Sequence, residues 1–230
     1  FKPSTILETG TWNGGRAIEM ALAAFENTNL VNYYGFDLFE DATIETDKEE
    51  FNVKSHNTLE AVEKRLEDFK VKMKEKNKTF NYVLTKGNTR EELKVDNLFD
   101  YLPFIDYAFI GGGDSIQTKQ SDYDCLKHIP VIVIDNYFSK DKDGNTVKPE
   151  YCGTNKVKDS LSKTIKNNIL PSEDLVRGGG NTHLLLIVND DKLPSPPRHL
   201  FSVPIKVNPR DCVPKDYIRD NIKTNFKLID

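Results

Sequence analysis

Between Thr5 and Val188 the chain alternates short apolar runs with longer amphipathic stretches, and few folds accommodate that pattern. Thr5-Ile6-Leu7-Glu8 reads as a strand that ends at Gly10, followed by a helix over residues 14–26 with Ile18, Leu22 and Phe25 on one face. Tyr33–Asp37 reads as a second strand, and the acidic stretch 39–54 as an irregular surface loop. Leu59, Val62, Leu66, Phe69 and Met73 recur at steps of three and four, which predicts a helix with a capping box from Asn57 and Glu60. Further strands are expected at Tyr82–Thr85, Ile105–Ile110 and Val131–Ile134. A helix containing Tyr123 and Leu126 should end before Pro130. Val131–Ile134 is apolar at every position, as in a strand covered on both faces. A helix over 154–168 and a closing hairpin, with Leu175-Val176 and Leu184–Val188 as its arms and Gly178-Gly179-Gly180 as its turn, complete the pattern.

Strand–helix alternation of this kind implies an α/β domain with helices on both faces of a doubly wound sheet. The sheet is expected to be seven-stranded and mostly parallel, with an antiparallel last strand. Residues 1–190 form this domain in the reading. Residues 191–230, punctuated by Pro194, Pro196, Pro197, Pro204, Pro209 and Pro214, form an extension that wraps the domain or leads to another. The net charge of −4, with both signs scattered, gives no basic footprint for nucleic acid. No apolar run is long enough to cross a bilayer. Cys125, Cys152 and Cys212 form neither a metal-type pair nor a disulfide framework, which suggests a reduced, cytoplasmic setting.

In an open parallel sheet, ligands bind beyond the carboxyl ends of the strands where strand order reverses. The turn there is Glu8-Thr9-Gly10-Thr11-Trp12-Asn13-Gly14-Gly15. A carboxylate at Glu8 would repel a phosphate but attract a ligand carrying an ammonium group. With Gly10 and Gly14 the turn resembles the first motif, E/D-x-G-x-x-x-G, of class I S-adenosylmethionine (SAM)-dependent methyltransferases, which have a Rossmann-like fold. The dinucleotide pattern G-x-G-x-x-G is absent, because position 12 is Trp. The resemblance implies SAM as cofactor, with Glu8, Gly10, Thr11, Trp12, Gly14 and Gly111 lining it. It also implies that Asp37 holds the ribose hydroxyls and that Asn88, in Lys86-Gly87-Asn88-Thr89, lies beside the adenine. Trp12 has the alternative of ordinary core packing.

The segments Phe109-Ile110-Gly111-Gly112-Gly113-Asp114-Ser115 and Ile134-Asp135-Asn136-Tyr137 resemble a branch acting on hydroxyls of sugars and other small molecules, similar to macrocin and catechol O-methyltransferases. In metal-dependent members an acid after the fourth strand and an Asp-Asp or Asp-Asn pair after the fifth hold Mg²⁺. The resemblance therefore makes Asp135, Asn136 and Asp114 the candidate metal ligands. The match breaks at Gly111, which stands where the acid is usual, and at Asp114, which stands where His is usual. Asp114 thus supplies the missing carboxylate from the triple-glycine loop, or caps the helix that starts at Ser115 or Ile116, leaving the metal site degraded. Without a metal, His183 is the candidate general base, ahead of His56 and His128, and Asp114 the other candidate catalytic group. The expected partner is a small-molecule acceptor, with neither nucleic acid nor membrane; the oligomeric state is unread. Two other readings stay open: a methyltransferase-like binding domain that has lost its chemistry, and an NAD-dependent oxidoreductase.

Overall fold

The computed structural model describes residues 2–52, 54–95, 98, 102, 104–138, 153–171 and 182–192. Seven strands build one sheet: β1 (Thr5–Thr9), β2 (Leu30–Asp37), β3 (Thr79–Lys86), β4 (Tyr107–Ile110), β5 (Val131–Phe138), β6 (Lys166–Pro171) and β7 (Thr182–Val188). Their order is β3-β2-β1-β4-β5-β7-β6. β7 is antiparallel to both its neighbours, and the remaining pairings are parallel. The fold is thus the Rossmann-like, mostly parallel sheet with a reversed last strand that the alternation implies. Strand order reverses between β1 and β4, so the loops after these two strands flank the crevice where a ligand of such a sheet lies.

Successive residues of β1 serve opposite faces. Ile6 joins a core with Ile18 and Phe25 of α1 (Gly15–Phe25) and Leu66 and Phe69 of α3 (Leu59–Glu75). Leu7 joins a core with Tyr123 and Leu126 of α5 (Ile116–Leu126) and Val157 of α6 (Gly153–Ser160). With a core on each face of the sheet, neighbouring residues such as Ile6 and Leu7 can both be apolar.

Several boundaries differ from the sequence reading. β2 and β3 begin earlier, at Leu30 and Thr79, because the two strands pair along their whole length. Thr58, not Asn57, caps α3, its hydroxyl accepting the Ala61 N–H at 3.2 Å. The stretch 39–54 is not irregular: it contains a 3-10 turn at Phe39–Asp41 and the short helix α2 (Ile44–Glu49), which Thr43 and Thr46 close as a capping box. The expected helix over 154–168 ends at Ser160. Ser162 and Thr164 then form a hydroxyl-bonded turn at 2.9 Å, after which Asn167 and Asn168, poor helix formers, enter β6. β6 is therefore the hairpin partner of β7; the expected arm Leu175-Val176, the Gly178–Gly180 turn and the tail after 192 lie outside the described residues. A short helix, α4 (Thr89–Glu92), follows β3. No described helix is long and apolar enough to cross a membrane.

Candidate functional site

The loops after β1 and β4 touch backbone to backbone. Gly111 N–H donates to Thr9 O at 2.8 Å, and Gly10 N–H to Phe36 O at 2.8 Å. Gly10 has φ 80°, and a Cβ there would lie 2.5 Å from the backbone of Gly111 and Gly112. Only glycine serves at this point, on conformational and steric grounds together. Gly14 caps α1, its N–H donating to Thr11 O at 2.9 Å.

Glu8 lies at the base of this turn with no solvent exposure. Its Oε2 accepts the Tyr33 hydroxyl at 2.5 Å, while Oε1 has no hydrogen-bond partner among the described residues. Burial pushes the Glu8 pKa up to about 8, against the pull of Arg16, whose Nη1 is 4.0 Å away. Thr11 is also buried, its hydroxyl 3.2 Å from the Tyr33 hydroxyl, so its side chain serves the turn. Asp37, at the end of β2, binds the turn from outside: Oδ2 accepts Trp12 N–H and Oδ1 accepts Phe39 N–H, both at 2.8 Å. Trp12 is not core. It is 42% exposed, holds φ 52°, and donates its indole N–H to Ser55 O at 2.8 Å, with the Lys54 ammonium 5.2 Å from its ring. Asn88 caps α4, its Oδ1 accepting Arg90 N–H at 3.0 Å.

The β4–β5 end is organised around a bulge in β5. Register against β7 shifts between Ile134 and Tyr137, and Asn136 takes the left-handed conformation at φ 57°. A bulge re-aims side chains at a strand end, and Asn tolerates this backbone better than most residues. Asn136 Nδ2 donates to both oxygens of Asp114, at 2.8 and 2.9 Å. Asp114 does not cap α5; Ser115 does, its hydroxyl accepting Thr118 N–H at 3.2 Å.

Two cations that the sequence reading missed converge on Asp135. The Lys119 ammonium donates to Asp135 Oδ1 at 2.6 Å and lies 3.6 Å from Asp114. It also donates to the carbonyls of Ile110 and Gly112 at 3.3 and 3.1 Å. Arg16 Nη1 lies 3.6 Å from Asp135 Oδ2, and its guanidinium sits over the Phe109 ring at 4.2 Å. Burial alone would raise the Asp135 pKa, but Lys119 and then Arg16 outweigh it and hold the group below the usual carboxylate range. Asp114 goes the other way, because burial dominates there. A Cβ at Gly111 would meet Arg16 Nη1 at 2.7 Å, so the arginine fills the space a side chain at 111 would claim.

Lys119 was legible in principle. Its spacing to Tyr123 and Leu126 places it on the apolar side of α5, and so does that of Asp122, a fully buried acid beside Thr9 and Thr89 whose pKa burial raises to about 6. A charge on the inward stripe of a helix marks a buried polar network. Glu50 was also missed: it reaches from the end of α2 to accept Ser115 N–H at 3.2 Å and the Thr118 hydroxyl at 2.5 Å. The segment after β2 thereby straps both loops of the crevice.

His183 faces Tyr137 across the β5–β7 ladder, one position beyond the bulge. Burial lowers its pKa, and its Nδ1 has no hydrogen-bond partner among the described residues. His56 is instead bonded to Asp47 at 2.7 Å, and His128 lies near the amino end of β5, away from the crevice. No group of His, Cys, Asp and Glu among the described residues is arranged to hold a metal ion.

No family model matches the chain, and no curated protein matches it. Among solved structures it is similar to CalS11, a TDP-rhamnose 3'-O-methyltransferase of calicheamicin biosynthesis, at 15% identity over 80% of this chain and 71% of that one, with TM-score 0.48. It is similar to PaMTH1, a Podospora anserina methyltransferase bound to S-adenosyl-homocysteine, at 15% identity over 81% and 72%, TM-score 0.45. It is also similar to M. capricolum TrmK in complex with S-adenosyl-homocysteine, at 16% identity over 82% and 63%, TM-score 0.43. At such identities these are likenesses of the sheet alone.

Proposed function

We propose that the chain binds SAM in the crevice between the β1 and β4 loops and transfers its methyl group to a hydroxyl of a sugar or other small metabolite. The observation that carries this reading is the pair of acids at the ends of β1 and β2. Glu8 offers a buried, unpartnered Oε1 beneath a glycine turn, and Asp37 brackets the same turn from outside. A phosphate-bearing cofactor would find a carboxylate where it needs bare amides. A cofactor with an ammonium group and a ribose finds an acceptor for each. The residues present therefore fit SAM. It would contribute a methyl group on a sulfonium, already a good leaving group.

The chain's own part is mostly alignment and exclusion of water. Asp37 keeps the second lone pair of each oxygen for ribose hydroxyls, and Trp12, exposed at the rim, supplies an apolar wall. His183, neutral near pH 7 through burial, is the group proposed to take the acceptor's proton at a ring nitrogen. The small-metabolite acceptor rests on the resemblance of the 109–115 and 134–137 segments.

Calorimetric titration with S-adenosyl-homocysteine and, separately, with NAD tests the reading. S-adenosyl-homocysteine should bind and NAD should not; the reverse outcome would sink it. Transfer of labelled methyl from SAM to a panel of sugars and phenols then identifies the acceptor. A second reading, a cofactor-binding domain without chemistry, draws support from Gly111 and from the two cations occupying the β4–β5 end. Tight binding of S-adenosyl-homocysteine with no labelled product across the panel would favour it.

A further inference from the structure

The resemblance places Mg²⁺ among Asp114, Asp135 and Asn136, and the residues present do not fit that ion. An ammonium carries three N–H donors, and all three of Lys119 have acceptors: Asp135 Oδ1 at 2.6 Å, Gly112 O at 3.1 Å and Ile110 O at 3.3 Å. The side chain is 1% exposed, so this is a built interior site. Asp114 and Asp135 already share the Lys119 ammonium, at 3.6 and 2.6 Å, and Arg16 lies 3.6 Å from the other oxygen of Asp135, so resident cations stand where a divalent ion would be drawn. Asn136 turns its amide nitrogen, not its oxygen, toward Asp114, so the amide completes a hydrogen-bond pair instead of offering a ligand. The acid usual at 111 is glycine, and Arg16 lies where its side chain would be.

We propose that the Lys119 ammonium is the resident cation of this carboxylate cluster, so that the chain recruits no divalent metal there. Lys119 is then a positioning residue. It ties α5 to the β4 loop through the carbonyls of Ile110 and Gly112 and fixes Asp135 at the rim of the bulge. The ammonium does chemically what a metal does structurally, gathering hard oxygens around one positive centre. Its protons are all committed, so it neither contacts nor activates an acceptor hydroxyl. This inference does not depend on SAM being the cofactor, because the site lies in the carboxylate cluster itself.

The test is titration of the whole chain with Mn²⁺, read by the electron paramagnetic resonance signal of the free ion, with no cofactor added. The native chain should leave the signal undiminished at millimolar Mn²⁺, and its melting temperature should not respond to Mg²⁺ or to a chelator. Lys119→Ala empties a space bounded by the carboxylates of Asp135 and Asp114 and the carbonyls of Ile110 and Gly112. That variant should gain Mn²⁺ binding, seen as loss of the free-ion signal and a rise in melting temperature on adding the ion. Two outcomes overturn the proposal: native Mn²⁺ binding that Asp135→Asn removes, or a folded Lys119→Ala that binds none. The native titration decides the first even where the variant does not fold.

Discussion

The two loops that flank the crevice handle buried carboxylates in opposite ways. At the β1 end, Glu8 is closed off from water with one oxygen unpartnered, its charge opposed by burial, and its nearest cation at 4.0 Å. At the β4–β5 end, Asp135 is held charged by an ammonium at 2.6 Å and a guanidinium at 3.6 Å. At the first end burial keeps the proton on a carboxyl that has no close cation; at the second the cations are already in place. Residue type alone does not separate these roles. The neighbours do, since a close cation holds a buried carboxylate ionised, whereas burial without one keeps its proton on.

The sharpest way to break the contrast is to separate the two loops. Gly10→Ala places a Cβ 2.5 Å from the Gly111 backbone at a φ of 80°, where no side chain can rotate away. Strain of this kind and the displaced loop should together cost about 3 kcal/mol or more of stability. Binding of S-adenosyl-homocysteine should be lost altogether. Thermal melts and calorimetry read both effects; a variant that melts and binds like the native chain would show that the two loops do not form one site.

The second test weighs the ion pair. Lys119→Met leaves Asp135 buried with only Arg16 beside it, which should cost about 3–5 kcal/mol. Asp135→Asn in the same chain should restore most of that loss, since no unpaired charge remains. A double-mutant cycle with no coupling between the two positions would mean that the 2.6 Å contact carries no energy.

How much of this was legible follows from the kind of signal each residue sends. The strands were readable because both faces are apolar, so Ile6 and Leu7 could be placed before the sheet was seen. The acid at 8, the glycine at 10 and the acid at 37 were readable because their positions follow from strand ends. The β6 hairpin arm was misread because Lys166-Asn167-Asn168 carries no strand signal of its own; pairing with β7 imposes the conformation. Lys119 and Arg16 were missed because a lone basic residue on a helix ordinarily faces water. Spacing to Tyr123 and Leu126 marks Lys119 as inward, but the partner that explains both cations is long-range: the β5 bulge brings Asp135 to within reach of each.

A smaller effect is expected at Asp37. Its oxygens receive the Trp12 and Phe39 amides at 2.8 Å in a half-buried setting. Asp37→Asn keeps the shape but loses the charge, weakening charge-assisted bonds to a ribose by about 1.5–2 kcal/mol, or roughly 10–30-fold in affinity. Asn accepts through one oxygen only, so either the Trp12 or the Phe39 amide loses its partner, and stability should fall by about 1 kcal/mol, less than the loss in affinity. Equal loss of stability and affinity would instead make Asp37 a strut of the turn with no share in the ligand.

The gentlest probe needs no mutation. Burial raises the Glu8 pKa from 4.5 to about 8, so the folded chain holds this proton at neutral pH while the unfolded chain does not. The sign is that of a raised carboxylate: the contribution to stability is full below the unfolded pKa and is lost as pH rises through about 8. A ligand ammonium beside Oε1 needs the ionised form, so binding must expel the proton. Affinity for S-adenosyl-homocysteine should therefore rise with pH, approaching about tenfold per unit below the Glu8 pKa and flattening above it. Glu8→Gln should bind weakly and flatten the slope throughout the same range. An affinity that ignores pH in the native chain would assign the ammonium to another acceptor and leave Glu8 a partner of Tyr33 alone.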